Sequence, residues 1–250
     1  LWSWEFLTDV LKIDKDRLYV TIFSGDNEDN LDEDIESKEI WSSIIPRDRI
    51  ISCSKHFNFW EMGNIGPCGP CSEIHIDLRS SSERKLIEGR TLINKDNPEV
   101  IELWNLVFME YNRKESGFLD QLSKKHVDTG MGFERLCMVL QNKKSTYDTD
   151  VFSELIFSVS QKSGFKYGAN KGKDIAVRVV VDHIRAVSFA IADGQLPSNV
   201  GAGYVIRRIL RRAVRYGFSF LNFDSPFLHQ LVEVVFNQFK NTFPEISSQN

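Results

Sequence analysis

The alternation of apolar and polar residues divides the chain into a strand-rich first half and a helical second half. Residues 2–12 read as a helix. Leu18-Tyr19-Val20-Thr21-Ile22-Phe23 reads as a strand, closed by the turn-forming Ser24-Gly25-Asp26-Asn27. Ser72 to Leu78 alternates, which predicts a strand with one apolar face and Glu73, His75 and Asp77 on the other. The repeated Gly-Pro units of Gly66-Pro67-Cys68-Gly69-Pro70-Cys71 predict a rigid loop poor in hydrogen bonds just before it. Arg79 to Pro98 is polar and unpatterned, which predicts a long mobile loop. Val100 to Tyr111 is apolar on both faces and predicts a strand covered on both sides, with Leu103, Asn105, Val107 and Met109 on one face. His126-Val127-Asp128 predicts a short extended lead-in. Gly130-Met131-Gly132 then opens a helix whose apolar side is Phe133, Leu136, Cys137 and Leu140.

After about Lys144 the period is helical only. Asp174 to Asp193 predicts one long helix with Gly194 as its C-terminal cap. Tyr204 to Tyr216 predicts a second helix stopped by Gly217, and about Pro226 to Phe239 a third. No internal repeat is visible. The fold class expected is therefore α+β over residues 1–145, followed by an all-helical domain over 146–250.

Composition narrows the class. With 250 residues, 42% apolar and 26% charged, the chain can bury a sizeable core. Wholesale disorder, collagen and a disulfide-stapled miniprotein are excluded. No stretch approaches the roughly 20 apolar residues of a membrane helix, and Leu1 to Leu7 lacks the parts of a secretion signal. Four cysteines without a secretory cue favour free thiols in a reducing, cytoplasmic compartment. A first residue that is Leu rather than Met suggests a chain that starts inside a larger protein. The net charge of −4 hides a gradient: residues 1–50 hold 13 acidic and 6 basic side chains, residues 171–217 hold 9 basic and 3 acidic. The acidic stretch Asp26–Glu39 predicts a solvated loop.

Candidate chemistry begins with Asp128-Thr129-Gly130-Met131-Gly132-Phe133-Glu134-Arg135. An acid closes a strand, two glycines let a ligand approach the backbone, and a helix N-terminus with an arginine suits phosphate. The acid suits a cation, so the pattern fits one pocket for an ammonium and a polyphosphate; a plain glycine turn is the competing reading. Asn105, in an otherwise apolar strand, must be hydrogen-bonded if buried, as a pocket amide or a satisfied core amide. Trp60, in Asn58-Phe59-Trp60, walls a pocket or fills the core.

These segments, with Leu103-Trp104-Asn105-Leu106-Val107-Phe108-Met109, Asp182-His183-Ile184-Arg185-Ala186, Pro197-Ser198-Asn199 and Gly203-Tyr204-Val205-Ile206-Arg207-Arg208, resemble the class II alanyl-tRNA synthetases in sequence and order over nearly the whole chain. The resemblance implies activation of L-alanine with ATP and Mg²⁺, then transfer to the acceptor stem of tRNA(Ala). It implies that Asp128 holds the alanine ammonium, Trp60 and Val107 surround the methyl group, and Asn105 orients the amino acid. Gly130 and Gly132 would floor the adenylate, and Arg135 would take ATP phosphates. The family's first two motifs should lie upstream of Trp4, in the remainder of a parent synthetase, so the chain is expected to form no alanyl-adenylate by itself. A non-catalytic RNA-binding paralogue, or a fragment, is the alternative.

Two further patterns carry expectations. Cys53-x2-His56 and Cys68-x2-Cys71 have structural-zinc spacing. The two histidines that follow the cysteine pair in some family members are Leu78 and Ser81 here, so structural zinc is not expected. Arg207, Arg208, Arg211, Arg212 and Arg215 share one helix face, opposite Ile206, Ile209, Leu210, Ala213 and Val214. Such a face is solvated or holds nucleic-acid backbone. The resemblance implies tRNA, with Arg212 in a base-contacting position; the arginine usual before the Gly-Tyr pair is Ala202 here.

Overall fold

Leu18–Phe23 is strand β1, and its Leu18, Val20 and Ile22 are completely buried. Around it the first of two compact units, Leu1–Lys144, builds one six-stranded mixed sheet. The structure, a computed structural model, describes residues 1–247. The further strands are β2 (Ile50–Cys53), β3 (Phe59–Glu61), β4 (Gly66–Asp77), β5 (Val100–Arg113) and β6 (Leu119–Met131). The order is β2-β1-β4-β5-β6, with β3 on β4; β1 and β2 run parallel and the other pairs antiparallel. The unit's helices are α1 (Trp2–Glu5, continued as a π-helical turn over Phe6–Val10), α2 (Ile35–Ser42), α3 (Lys55–Asn58), α4 (Ser81–Leu86) and α5 (Phe133–Leu140). This is the α+β arrangement expected.

One sheet face carries the hydrophobic core. Val20, Ile22, Ile74, Ile76 and Leu103 meet Trp4 and Leu7 from α1 and its continuation, and Trp41 from α2. Each such buried side chain stabilises by about 1.5–3 kcal/mol. Trp4 and Trp41 meet edge to face at 6.0 Å. The Trp41 Nε1–H donates to Ser72 Oγ at 2.8 Å, so the one polar atom of this buried ring is satisfied.

Several expectations need correction. Gly66–Cys71 is not a loop but the first half of β4, paired with both β3 and β5. Pro70 falls where the register slips between Cys68 and Cys71, and Pro67 sits near the start of the strand opposite Asn112. A Cβ on Gly69 would lie 2.0 Å from the Phe108 carbonyl oxygen, so the close strand contact admits only glycine there. Arg79–Pro98 is not simply a loop: Ser80 and Glu83 form a capping box that starts α4, and a 3₁₀ turn spans Gly89–Leu92. The acidic stretch contains α2, whose N-cap Asp34 accepts from the Ser37 N–H at 2.9 Å and whose Trp41 anchors it to the core. The lead-in at 126–128 belongs to the 13-residue β6, an edge strand largely open to solvent and polar enough to hide its period. In α5, Leu136 and Val139 pack on the core and Met138 is buried, whereas Phe133 and Leu140 are exposed.

The described elements of the second unit, Ser145–Asn250, are helices: α6 (Asp150–Ser163), α7 (Lys171–Ala192), α8 (Gly201–Leu221) and α9 (His229–Phe239), with short 3₁₀ turns. Asn170 caps α7 by accepting from the Gly172 and Lys173 N–H groups, and Gly194, at φ +87°, turns the chain out of it. Helix α8 does not stop at Gly217. It continues to Leu221 and ends at the left-handed Asn222. Gly217 is small for packing: a Cβ there would come within 2.3 Å of the Phe227 ring.

The far end of the sheet is tied by charge. Arg113, at the end of β5, donates to both carboxylate oxygens of Asp29 (3.1 and 2.6 Å), to Glu61 of β3 (2.5 Å) and to the Gly117 carbonyl (2.9 Å); Lys55 adds a further contact to Asp29. The Arg113 guanidinium holds the Asp29 carboxyl at about 2, below its ordinary 3.8. A carboxyl with a depressed pKa contributes stability above its unfolded value and loses it as pH falls through the folded one. Asp29→Asn should therefore cost about 2 kcal/mol at neutral pH, and the variant's deficit relative to wild type should shrink as pH falls from about 4 to 2. Urea midpoints across that range check this; a constant deficit would contradict it.

Candidate active site and basic helix

The site is set by strand register. Antiparallel pairing aligns Thr21, Glu73, Asn105 and Gly130 as one row across β1, β4, β5 and β6. The next row is Cys71, Val107 and Asp128. Directly paired residues point to the same face, about 5 Å apart at Cβ. Asn105, Val107, Asp128 and Gly130 thus lie together, on the sheet face opposite Ile74, Trp104 and the core.

A bulge decides this placement. His75 pairs with Glu102 and Ile74 with Trp104, so Leu103 is an extra residue in β5. Leu103 drops into the hydrophobic core. The expected sharing of one face by Leu103 and Asn105 is therefore corrected: the bulge puts Leu103 on the core side while Glu102 and Asn105 flank it on the other.

Behind the rows the polar residues of β4 are buried, contrary to a simple polar solvent face. Glu73, His75 and Asp77 are 7%, 1% and 0% exposed. Thr21 Oγ1 donates to Glu73 Oε2 at 3.0 Å, and His75 Nε2 lies 3.0 Å from the same oxygen. The Asn58 amide donates to Thr21 Oγ1 (2.9 Å) and to the Cys71 carbonyl (2.8 Å). Asp77 receives a two-pronged bond from Arg79 at 2.9 and 2.7 Å.

The expected site residues are distributed as follows. Asn105 is half-buried, one row from Cys71 on the same face, and its buried Oδ1 accepts nothing. Asp128 is exposed and accepts from the Thr129 N–H at 2.8 Å. A Cβ at Gly130 would meet nothing within 4 Å, so its row ends in open space. Trp60 is half-buried opposite Gly69, where the β4 register slips. No side chain caps α5 at Gly132. A Cβ on Gly132 would come within 3.1 Å of the Arg135 side chain. Arg135 Nη1 donates to the Glu102 carbonyl at 2.7 Å and pairs with its carboxylate at 3.2 Å. Glu73 and Glu102 are additions that sequence reading passed over. The polar period of β4 pointed to Glu73; the bulge hid Glu102.

The Cys53, His56, Cys68 and Cys71 spacing does not become a ligand set. Cys68 lies in an apolar cluster with Phe23 and Phe59, and Cys71 lies by Asn105. Burial first, and then the Glu73 charge, push the Cys71 thiol up to about 12, away from the thiolate a metal needs. Among the described residues no group of three or more His, Cys, Asp or Glu is placed to hold a metal, and no helix is long and apolar enough to cross a membrane. No disulfide joins any of the four cysteines.

In the second unit, α8 presents Arg207, Arg208, Arg211, Arg212 and Arg215 along a groove of about 930 Å³ that also takes in His183, Tyr204, Tyr216 and Phe220. All five arginines are exposed, and among the described residues none is in an ion pair with a carboxylate. Arg208 lies over the Tyr204 ring and Arg212 over Tyr216.

Comparison with known proteins gives a family and a set of relatives. The family described as tRNA synthetases class II (A) matches residues 1–250. The chain is 60% identical over 248 residues to a protein of Cytophaga hutchinsonii named Alanine--tRNA ligase, covering 99% of this chain and 28% of that protein. Proteins of the same name from Christiangramia forsetii and Flavobacterium psychrophilum are 59% and 58% identical, again over 99% of this chain and 29% of theirs. The chain thus spans under a third of the length of the curated relatives it matches.

Asn58 of α3 is fully buried, and its amide ties together two groups, the Thr21 hydroxyl of β1 and the Cys71 carbonyl of β4. Asn58→Ala should lower stability by about 2 kcal/mol, the cost of leaving buried partners unmade. A chemical-denaturation midpoint unchanged from wild type would contradict it.

Proposed function

The chain belongs to the class II (A) tRNA synthetase family, and from that premise we propose that it forms part of the catalytic region, and the start of the tRNA-recognition region, of a cytoplasmic alanine–tRNA ligase. The observation that carries the reading is the adjacency of the Asn105–Gly130 and Val107–Asp128 rows on one face, with Arg135 at the start of the following helix. An acceptor that is buried and unpaired, a carboxylate and a small apolar side chain match the ammonium and methyl group of alanine. The name of the relatives, Alanine--tRNA ligase, supplies the substrate.

The proposed reaction has two steps. A carboxylate oxygen of alanine attacks the α-phosphorus of ATP, the new C–O–P linkage forms, and pyrophosphate leaves with the electron pair of the broken P–O bond. A ribose hydroxyl of the terminal adenosine of tRNA then attacks the acyl carbon, the acyl C–O bond to phosphate breaks, and AMP leaves with its electron pair and takes up the hydroxyl proton. No side chain need move a proton in the first step, so the work is positioning and charge neutralisation. Asp128 and Asn105 hold the amino group, Val107 and Trp60 bound the space for the side chain, and Gly130 leaves room for the adenylate. Gly132 keeps clear the space that Arg135 occupies, and Arg135 meets phosphate. Mg²⁺ carried on the nucleotide supplies further neutralisation when bound.

For the second unit the proposal is contact with the acceptor stem of tRNA(Ala). Arginines that carry no carboxylate partner suit a phosphate backbone, and Tyr204 and Tyr216 hold two of them over aromatic faces.

Two measurements test these roles in a full-length synthetase containing this chain. Asp128→Ala should abolish alanine-dependent ATP–pyrophosphate exchange; unchanged exchange would refute its assignment. Arg212→Gln should reduce alanylation of tRNA by about tenfold, the order of one lost phosphate or base contact, while leaving adenylate formation near wild type. Equal loss in both assays would argue against a tRNA role.

A further inference from the structure

Within the proposed alanine pocket the hydrogen-bond count is uneven. An ammonium carries three N–H donors. The assigned acceptors are Asp128, whose Oδ1 already takes the Thr129 N–H, and the Asn105 Oδ1. A third acceptor close to Asn105 would give each N–H of the ammonium a partner group of its own.

Glu73 stands in that position. It pairs directly with Asn105 across β4 and β5, on the same face. The residue is 7% exposed, and only one of its carboxylate oxygens is used: Oε2 takes the Thr21 hydroxyl and faces His75 Nε2, each at 3.0 Å. No hydrogen bond to Oε1 occurs among the described residues, and Oε1 is not among the sealed-off polar atoms. A fixed carboxylate with a free oxygen, beside a buried amide oxygen that accepts nothing, is half of a cation cradle. An ammonium, which brings its own N–H donors, fits such a cradle.

We propose that Glu73 is a further binding residue of this site: its Oε1 accepts one N–H of the alanine ammonium beside Asn105 and Asp128, and Thr21 and His75 fix the carboxylate for that contact. The inference rests on the alanine-ligase reading. It makes discrimination for an α-ammonium, against an acid of the same shape lacking it, a property shared by two carboxylates from different strands. Glu73 lies one strand further from α5 than Asn105 does, so the contact reaches the ammonium from the side opposite the edge strand β6.

The test is titration of the full-length synthetase with L-alanine and, separately, with propionate, which keeps the carboxylate and methyl-bearing chain and lacks the ammonium. Glu73→Gln should weaken alanine binding by about tenfold or more and leave propionate binding within about twofold, with the KM for ATP unchanged. Weakening of both ligands alike, with a lowered melting temperature, would mean that Glu73 only supports the sheet and would overturn the proposal. So would alanine binding equal to wild type. Should Glu73→Gln fail to fold, Thr21→Val removes the hydroxyl that orients Glu73 while keeping the packing volume. It should lower the alanine-to-propionate affinity ratio, and an unchanged ratio would overturn the proposal. Failure of the wild-type enzyme to bind alanine at all would instead reject the ligase reading itself, so the two failures are distinguishable.

Discussion

The site depends on one extra residue in one strand. Leu103 has no partner of its own between the His75–Glu102 and Ile74–Trp104 pairs. A strand's side chains alternate with period two, so a single inserted residue exchanges the faces of everything beyond it. Here the insertion sends Leu103 into the core beside Trp4 and Ile74, and leaves Glu102 and Asn105 on the other side. Without it, Leu103 would occupy the polar face, or Asn105 would be carried into the core with its amide unpaired. The pairing of β5 with β6 then brings Gly130 and Asp128 to Asn105 and Val107.

The second consequence is that the polar side of β4 is buried as thoroughly as the apolar one. A buried carboxylate, imidazole and amide are tolerable only when paired. Thr21, Glu73, His75 and Asn58 meet part of that demand among themselves, while Asn58 Oδ1 and His75 Nδ1 stay buried without a partner among the described residues. The network ties β4 to β1 and α3. Pockets built on strands in this way inherit the precision of the sheet. The helical unit works by a different rule. Its α8 arginines gain nothing from burial; they remain exposed and unpaired with acids, a state suited to a large anionic partner whose condensed counterions are released on contact.

How much of this was legible in the sequence varies with the physics of each segment. Strand β1 was readable to the residue because its core side chains alternate without interruption. Helix α7 was readable because its buried Ala176, Val177, Val180, Val181 and Ile184 keep the helical period and Gly194 marks its end. Asp128, Gly130 and Arg135 were recognisable as a group because they are close in sequence. Strand β6 was not, since an edge strand in solvent needs no apolar face. The Gly-Pro run was misread because a proline forbids a ladder bond in the general case, and only the slipped register shows where β4 does without one. Gly217 was read as a stop because its reason, the Phe227 ring against its Cα, lies in another segment.

The sequence by itself therefore determined the local matters: the class of the fold, the period of each core-facing element, the family of the chain and the residues whose chemistry could form a pocket. Those follow from side-chain type and spacing within a few turns or pleats. Only the tertiary structure decided which face Asn105 occupies, which carboxylate stands beside it, and that Arg135 leans on Glu102. Those depend on cross-strand register, and register is fixed by how two distant segments pack together, a quantity no single stretch of sequence contains.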